Sequence, residues 1–406
     1  MPVAVSRLLA GLVLPALLTV AGCAEQPGKA PAAPNPALET TSRGNLPSVE
    51  STAGPQVAGV TLIAAKTTGI AVPPLSRNAG RGELILHGGG IVTRDVSETI
   101  VAHAGPEPRI CLIETYKPGR GESARLFRRY SGVALTGLFL DGDNVGHPAV
   151  LEALADCNAY FFDGGDPQQL STLLRPSGQD TPALAVIRRR FEEDGALISG
   201  SSAGAMIAGP VTLCECAVNS SVQAVLNGRL FKAPGFDFLT YPVMIDAHFF
   251  ARGLMGRHLF ALARDRVPAG VGIDEDAAVL ISADQKTWRV IGDRRVALIF
   301  TPPQVTTDKL TGFGLALLAP GDVFDPASAT MTLPDGRRPV RGSELSQGIR
   351  EAGLNYDVDL PITYDFEVSD NTIILTNSRT LRPPRWLAGD DSDSVLNAKV
   401  GVRPAV

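Results

Sequence analysis

Histidine and basic residues are both scarce in this chain. Only five of its 406 residues are histidine, so any reaction that needs an imidazole has few candidates. Acidic residues outnumber basic ones, and the formal net charge is −5. Without an excess of positive charge the chain lacks the electrostatic footprint of a nucleic-acid-binding protein, so no nucleic-acid partner is expected. Long apolar runs are lacking too, because the run from Leu8 to Val20 is shorter than a bilayer-spanning helix.

The chain also has few cysteines, five in all. Cys111 and Cys157 lie in or beside predicted core strands, where buried thiols are expected. Cys214 and Cys216 flank Glu215 and could pair with each other, bind a metal ion or remain free. A metal site would need further ligands, and the sequence shows none nearby. We therefore expect neither a metal nor a cofactor.

The N-terminal segment has the pattern of a signal peptide. Arg7 precedes the apolar run, whose length suits a signal sequence. The run ends in Val20-Ala21-Gly22-Cys23, which resembles the cleavage site of a bacterial lipoprotein. We expect residues 1–22 to be removed and Cys23 to carry lipid that anchors the protein in the cell envelope, facing the periplasm or the exterior. An ordinary secretory signal with an incidental cysteine is the alternative.

The rest of the chain predicts three regions. Residues 23–81 contain few large apolar residues and predict the lipidated cysteine followed by a flexible linker, although Val60 to Ile63 could form a strand. Between 82 and 301 short strand patterns alternate with helical ones. This alternation predicts an α/β domain, with a mostly parallel sheet and helices on both faces. Residues 302–406 have hairpin patterns and predict a β-rich C-terminal extension.

One motif carries the clearest chemical signal. A strand pattern ends in the sequence Gly-x-Ser-x-Gly, from Gly200 to Gly204. A nucleophilic hydroxyl needs a sharp strand-to-helix turn with small neighbours, and Ser202 stands at the apex of such a turn. The N–H of Ala203 would then face a developing oxyanion. A serine in a glycine-rich loop that only caps a helix would have the same sequence.

His248 is the histidine best placed to activate this serine. A strand pattern from Tyr241 to Ile245 ends just before it, and α/β proteins carry their sites at the carboxyl ends of strands. A serine hydroxyl needs such a general base at neutral pH. His258 falls inside a helical pattern instead. The α/β-hydrolases share the serine motif, but their histidine follows further strands, and no histidine follows His258 here.

Four stretches of sequence resemble the cyanophycinase and dipeptidase E family of serine peptidases, whose domain resembles the class I glutamine amidotransferase fold. In chain order they are Leu84 to Gly90, Phe161 to Asp166, Gly200 to Ala205, and Asp246 to Phe249 with Arg252 and Arg257. Residues 271–278 resemble the next strand of that family. The resemblance covers residues 82 to about 300, a little over half of the chain.

The resemblance implies a role for each matched residue. Ser202 would be the nucleophile and His248 the base, and the backbone N–H groups of Gly165 and Ala203 would form the oxyanion hole. Substrate contacts are implied for Asp166, Gln168, Asp246, Arg252 and Arg257.

The chain departs from the family at substrate-contacting positions. Ala247 replaces a glutamine and Leu254 an arginine in the histidine segment, and Pro167 displaces Gln168 by one position. The loss of hydrogen-bonding partners usually changes specificity sharply. We therefore expect acyl-transfer chemistry with weak or no turnover of cyanophycin itself.

The sequence offers three carboxylates as the acid that would orient His248. Glu215 and Asp237 lie between Ser202 and His248, and Asp246 stands just before the histidine. The family places its acid after the nucleophile, which favours Glu215. A solvated loop carboxylate would have the same pattern.

These observations predict a lipid-anchored serine exopeptidase or related hydrolase. It would cleave a peptide or isopeptide bond through an acyl-Ser202 intermediate. Its partners would be a peptide substrate and, through Cys23, the membrane. The alternative is a non-catalytic lipoprotein that retains the fold for ligand binding. The missing glutamine and arginine favour that alternative, and the presence of both Ser202 and His248 argues against it.

Overall fold

The computed structural model describes the following residues: 59–76, 79–115, 122–213, 230–252, 254–307, 309–337, 339–341, 365–369, 372–376 and 394–402. These residues lie within one compact unit. The predicted signal peptide, Cys23 and the segment with Cys214, Glu215 and Cys216 lie outside the described residues.

The α-helices of the described residues are α1 (Arg94–His103), α2 (Glu122–Phe127), α3 (Pro148–Asp156), α4 (Pro167–Leu174), α5 (Pro182–Glu193), α6 (Ala203–Met206) and α7 (Met255–Asp265). The first eight strands are β1 (Val60–Ile63), β2 (Leu84–His87), β3 (Arg109–Glu114), β4 (Ala134–Phe139), β5 (Ala159–Phe162), β6 (Leu197–Ser201), β7 (Val211–Leu213) and β8 (Lys232–Pro234). The later strands are β9 (Val243–Ala247), β10 (Ala269–Ile273), β11 (Ala277–Ile281), β12 (Trp288–Gly292), β13 (Val296–Phe300), β14 (Phe313–Leu318), β15 (Val323–Asp325), β16 (Thr330–Thr332), β17 (Pro339–Arg341), β18 (Asp365–Ser369), β19 (Thr372–Thr376) and β20 (Ser394–Val402).

The first sheet has a parallel centre. Its strand order is β1-β4-β3-β5-β6-β2-β11-β12-β15-β16, and the strands from β4 to β2 run parallel. Side chains alternate between its two faces. In β2, Leu84 and Leu86 pack into the cluster that includes α3, α4 and α5, whereas Ile85 packs with α1 and α2. Parallel strands covered on both faces have such continuous apolar sequences. The predicted α/β fold is confirmed.

The second sheet has the strand order β18-β19-β20-β14-β13-β10-β9, and β17 pairs with β20. Strands β9 and β10 are parallel, and β13 and β14 continue the sheet in antiparallel pairs. Helix α7 covers one face, where its Leu259 and Leu262 pack with Ile299 of β13 and Leu315 of β14.

The folded region extends beyond residues 82–301 on both sides. Strand β1 pairs antiparallel with β4, so residues 60–63 belong to the first sheet rather than to a linker. On the C-terminal side, β14 lies between β13 and β20, and β15 pairs with β12. The β-rich segment therefore extends both sheets, because its strands supply backbone partners that the preceding strands lack.

Cys111 and Cys157 form a disulfide, with their Cα atoms 5.8 Å apart. Both residues are buried as predicted, but the prediction of free thiols was wrong. The sequence did not show that Cys111 on β3 and Cys157 at the end of α3 meet beneath the first sheet.

In the part of the chain that the structure describes, no helix is both long and apolar enough to cross a membrane.

Candidate active site

Ser202 lies at the carboxyl edge of the parallel strands. It follows β6 directly, and α6 begins at the next residue. Its backbone has φ 55° and ψ −118°, a conformation that a residue with a side chain rarely adopts. The N–H of Ser202 donates to the carbonyl oxygen of His87 at the end of β2, at 2.9 Å. The turn holds the hydroxyl above the sheet, as the predicted strand-turn-helix motif requires.

The two motif glycines are needed because the backbones approach closely. A Cβ on Gly200 would overlap the backbone of Gly204, and a Cβ on Gly204 would overlap the backbone of Phe162 in β5. Small residues at both positions let α6 start directly against the sheet.

The predicted general base, His248, lies at the end of a strand of the second sheet. His248 follows β9, and its Nε2 lies 2.7 Å from Ser202 Oγ. The backbone of His248 has φ 51°, and its N–H donates to the carbonyl oxygen of Gly88 at 2.7 Å. The imidazole lies against Gly89, where a Cβ would overlap the ring. The predicted partnership of Ser202 and His248 is therefore present as a hydrogen bond between the two sheets.

Glu275 completes the triad. Its Oε1 lies 2.6 Å from His248 Nδ1. The hydrogen bond to His248 holds the pKa of Glu275 below its usual value, so the carboxylate is ionised at neutral pH. An ionised carboxylate on Nδ1 places the ring proton there and leaves Nε2 free to accept the serine proton.

The carboxylate that the structure places at His248 is Glu275, which was not among the three acids predicted from the sequence. Glu215 itself lies outside the described residues. Strand pairing explains the difference: β9 and β10 are parallel neighbours with Ala247 opposite Ile273. Residues just beyond both strand ends must therefore meet. The signal was present in the sequence as an acidic pair, Asp274 and Glu275, after a strand pattern.

Asp274 fixes the loop that follows His248. Its buried Oδ1 accepts the N–H groups of Phe250 and Ala251, at 3.0 and 2.8 Å. Burial raises the pKa of Asp274 to about 7. The aspartate therefore ties the ends of β9 and β10 together behind the His248–Glu275 pair.

Of the two predicted oxyanion-hole residues, Ala203 follows Ser202 directly and Gly165 follows Gly164, which lies close to Ser202. Ala203 begins α6 immediately after Ser202. Gly165 lies in the turn after β5, where a Cβ on the adjacent Gly164 would lie 3.5 Å from the Cβ of Ser202. Such backbone N–H groups can stabilise an oxyanion strongly. Their assignment stays a prediction.

Ser202 and His248 open into a cleft of about 510 Å³, a size typical of small-ligand sites. The cleft is lined by Gly89, Gly90, Ile91, Val92, Ser123, Arg125, Leu126, Arg129, Phe161, Asp163, Gly164, Ser201, Ser202 and His248. The contribution from α2 and the turn after it was not foreseen from the sequence.

Asp246 and Arg257, both predicted to bind substrate, instead bind each other. Arg257 Nε and Nη2 donate to the Asp246 carboxylate at 3.0 and 2.5 Å, and both side chains are buried. Burial alone would raise the pKa of Asp246, but the Arg257 guanidinium holds it below its usual value. The prediction was wrong for this pair, because both side chains point into the protein between β9 and α7.

The remaining predicted substrate contacts, Asp166, Gln168 and Arg252, are not among the residues that line the cleft. Asp166 caps α4 by accepting the N–H of Gln168 at 2.9 Å, and Gln168 is half-buried in the first turn of that helix. Arg252 is half-buried, and its N–H donates to the carbonyl oxygen of His248 at 2.9 Å. Asp166 therefore has the role of a helix cap.

A second histidine lies behind the nucleophile. The Nδ1 of buried His87 lies 3.0 Å from Ser201 Oγ and accepts the N–H of Gly89 at 3.3 Å. Burial lowers the pKa of His87 to about 4, so the ring is neutral at physiological pH. The sequence analysis gave this residue no role.

Within the described ranges, no group of three or more His, Cys, Asp or Glu side chains is arranged to hold a metal ion.

Comparison with known proteins places this arrangement in context. The chain is 32% identical over 170 residues to a cyanophycinase of Synechococcus elongatus, a stretch that is 41% of this chain and 50% of that protein. It is 32% identical over 148 residues to a cyanophycinase of Geminocystis herdmanii, covering 36% of this chain and 51% of that protein. For a cyanophycinase of Nostoc sp. the identity is 30% over 158 residues, covering 39% and 49%. Over these stretches the chain is similar to the cyanophycinases.

The predicted resemblance to the cyanophycinases is thereby confirmed, and the chain spans about half the length of the curated cyanophycinases it matches. Among solved structures, a peptidase from an acI-B1 Actinobacterium is 21% identical with a TM-score of 0.47, covering 61% of this chain and 98% of that one. A putative peptidase E protein of Listeria monocytogenes is 14% identical with a TM-score of 0.30, covering 52% and 98%. No family model matches the chain.

Proposed function

We propose that this protein is a serine peptidase of the cyanophycinase type, which cleaves a peptide or isopeptide bond through an acyl-Ser202 intermediate. The observation that carries the proposal is the continuous hydrogen-bonded chain from Ser202 through His248 to Glu275. Its two links are 2.7 and 2.6 Å long, within the range at which a base can accept the proton of a nucleophile.

In the first half of the reaction Ser202 Oγ attacks the carbonyl carbon of the substrate, and His248 Nε2 accepts the hydroxyl proton. Glu275 remains ionised and stabilises the imidazolium. The N–H groups of Gly165 and Ala203 stabilise the oxyanion of the tetrahedral intermediate. His248 then gives its proton to the departing nitrogen, the carbon–nitrogen bond breaks, and an ester to Ser202 remains.

Water completes the reaction on the same groups. His248 Nε2 takes a proton from the water as its oxygen attacks the ester carbonyl. Collapse of the second tetrahedral intermediate releases the acid and returns the proton to Ser202. Each proton is returned, so the cycle consumes one water for each bond cleaved and needs no metal or cofactor.

We further propose that the substrate is a peptide other than cyanophycin. Ala247 and Leu254, which replace a glutamine and an arginine of the family, are both buried. Arg257 is held by Asp246. Of the polar groups expected to hold cyanophycin, one glutamine and one arginine are therefore missing, and Arg257 is engaged by Asp246. Turnover of cyanophycin far above that of every member of a dipeptide library would contradict this proposal.

We also propose that the protein is lipid-anchored through Cys23 in the bacterial cell envelope. The support is the apolar run that ends in Val20-Ala21-Gly22-Cys23. The disulfide between Cys111 and Cys157 adds support, because such bonds persist mainly in oxidising compartments. Metabolic labelling with an acyl-chain precursor tests the anchor, since labelling that persists at wild-type level in Cys23→Ala would contradict it.

A serine-directed fluorophosphonate tests the enzymatic proposal. We expect covalent labelling of the wild-type protein, no labelling of Ser202→Ala, and labelling of Ser201→Ala close to wild type. Ser201 is the matched control because it is the adjacent hydroxyl and lines the same cleft. Absence of labelling in well-folded wild-type protein would favour the non-catalytic binding protein instead.

A further inference from the structure

Helix α2 and the turn that follows it bring two arginines to the catalytic cleft. Arg125 and Arg129 both line it and are both exposed. Helical hydrogen bonding continues past the end of α2, where the N–H of Arg128 donates to the carbonyl oxygen of Ala124 at 2.9 Å. Arg129 lies two residues beyond the end of α2, in the turn that follows it, and both arginines line the same cleft. The two guanidinium groups can therefore reach one ligand together.

The backbone that carries these arginines is firmly held. Phe127 packs edge-on against Phe161, with ring centroids 5.3 Å apart, and Phe161 itself lines the cleft. The hydroxyls of Tyr130 and Ser97 lie 2.6 Å apart. The carbonyl oxygen of Arg129 accepts the N–H of Ile70 at 2.9 Å. A fixed backbone reduces the entropy lost when the side chains bind a ligand.

The cleft lining itself carries more cationic than anionic side chains, and the carboxylates of Glu275 and Asp276 lie behind it, against His248 and Gly90. Its lining contains two arginines but one carboxylate, Asp163, whose Oδ1 accepts the N–H of Gly164 at 3.0 Å. The chain as a whole is acidic, with a formal net charge of −5. Positive potential concentrated at a cleft raises the local concentration of anionic ligands.

One wall of the same cleft is apolar. Ile91 is 74% exposed, and Val92 and Leu126 lie beside it in the lining. The loop with Ile91 is held in place because its N–H donates to Asp276 Oδ1 at 2.6 Å. An apolar side chain of a peptide would cover Ile91 while the arginines bind an adjacent anionic group.

We propose that Arg125 and Arg129 form a carboxylate-binding subsite, which selects peptides with a carboxylate near the scissile bond and an apolar residue beside it. A planar guanidinium binds a carboxylate through two parallel hydrogen bonds, which gives both affinity and orientation. The carboxylate is either the C-terminus of the peptide or an acidic side chain. The effect on turnover rests on the proposed peptidase function, whereas the binding itself does not.

Binding is measured on the Ser202→Ala protein by calorimetry with three peptides. They are Ala-Leu-Ala with a free C-terminal carboxylate, Ala-Leu-Ala amide, and Ala-Leu-Asp amide. We expect at least one of the acidic peptides to bind roughly 10-fold or more tightly than the neutral amide, because hydrogen bonds to charged groups contribute that much. The acid that binds more tightly identifies the source of the carboxylate.

The preference should disappear when Arg125→Gln and Arg129→Gln are added together. Arg289→Gln is the matched control, because Arg289 is an exposed arginine on β12 that does not line the cleft. We expect it to leave the preference unchanged. Equal binding of all three peptides, no binding of either acid, or a preference that survives the double replacement would overturn the subsite.

Fluorophosphonate labelling of the wild-type protein, which retains Ser202, separates this inference from the proposed function. Labelling of the wild type, together with an acid preference in KM that the double arginine replacement abolishes, supports both. Labelling of a wild-type protein that shows no acid preference in binding or in KM overturns the subsite and leaves the peptidase. An acid preference in binding without labelling of the wild-type protein overturns the peptidase and leaves the subsite.

Discussion

Glu275, the acid of the proposed triad, is only partly buried. The Glu275 side chain keeps 38% of its exposure, yet its Oε1 faces His248 Nδ1 directly. A carboxylate in this position fixes the tautomer of the imidazole and stabilises its cation. Water access weakens the electrostatic part of this effect, but it does not alter the tautomer.

Replacement of Glu275 by glutamine should therefore slow the enzyme strongly. We expect Glu275→Gln to lower kcat by roughly 1,000-fold or more, as loss of a triad acid does elsewhere, with a smaller effect on KM. Glu215→Gln is the control and should stay near wild type. Steady-state kinetics on a small peptide decide the matter, and a large loss in Glu215→Gln with Glu275→Gln near wild type would return the acid to Glu215.

His87 should make folding stability depend on pH. Its pKa is about 4 in the folded protein and ordinarily 6.5, so the unfolded chain takes up a proton at a pH where the folded protein does not. Stability is therefore fully present above pH 6.5 and is lost as the pH falls toward 4. At about 1.4 kcal/mol per pKa unit, the loss amounts to about 3 kcal/mol.

The non-titrating variant His87→Gln should have a flatter pH dependence over the same interval. Urea unfolding of both proteins at pH 7.5, 6 and 5 measures the difference, and other groups such as Asp274 contribute equally to both. Parallel curves for the two proteins would show that His87 does not carry the effect.

At the scale of elements, the ion pair between Asp246 and Arg257 joins α7 to β9. Both side chains are buried. His258, which lies on α7 next to Arg257, has its Nδ1 3.6 Å from Asp246 Oδ2. A buried pair contributes little net free energy, but removal of one partner leaves an uncompensated charge. The pair therefore governs how α7 docks on the second sheet, directly beneath His248.

Arg257→Met should lower the free energy of unfolding by about 3–5 kcal/mol. Arg94→Met is the control, because its ion pair with Glu98 is exposed to solvent and should contribute little to stability. Adding Asp246→Leu to Arg257→Met should recover stability, since it removes the orphaned charge. Denaturant unfolding measures all three. A mild loss in Arg257→Met with a large rise in KM would restore Arg257 to substrate binding.

Local elements of the site could be predicted from the sequence, whereas pairings between distant segments could not. The turn at Ser202 depends on neighbouring residues, so Gly200 and Gly204 were sufficient to locate it. Glu275 depends on β9 and β10 lying side by side, which single-strand patterns do not show. The orientation of Arg257 and the approach of α2 to the cleft depend on packing, which residue type does not determine.

At the scale of the molecule, the C-terminal segment belongs to the core that supports the site. Strand β14 pairs with β13 along its whole length, from Val296 opposite Leu318 to Phe300 opposite Gly314. Phe313, Leu315 and Leu317 are buried against α7 and the second sheet. Each large apolar side chain contributes about 1.5–3 kcal/mol when buried.

A chain of residues 59–301 should consequently fail to fold as a soluble domain. Its β13 edge and an apolar face would be exposed, so we expect aggregation and loss of fluorophosphonate labelling. Residues 59–406 serve as the control. Size-exclusion chromatography and circular dichroism compare the two, and a soluble, labelled 59–301 chain would show that the C-terminal segment is separable.

The nucleophile follows a strand of one sheet, and the base and acid follow strands of the other. The reactivity of Ser202 therefore depends on how the two sheets pack against each other, and not only on whether each sheet is formed. During refolding each sheet can acquire its backbone hydrogen bonds while the serine remains inert. Reactivity should return only when the two sheets pack together. The rate at which covalent labelling of Ser202 recovers during refolding therefore measures this last step.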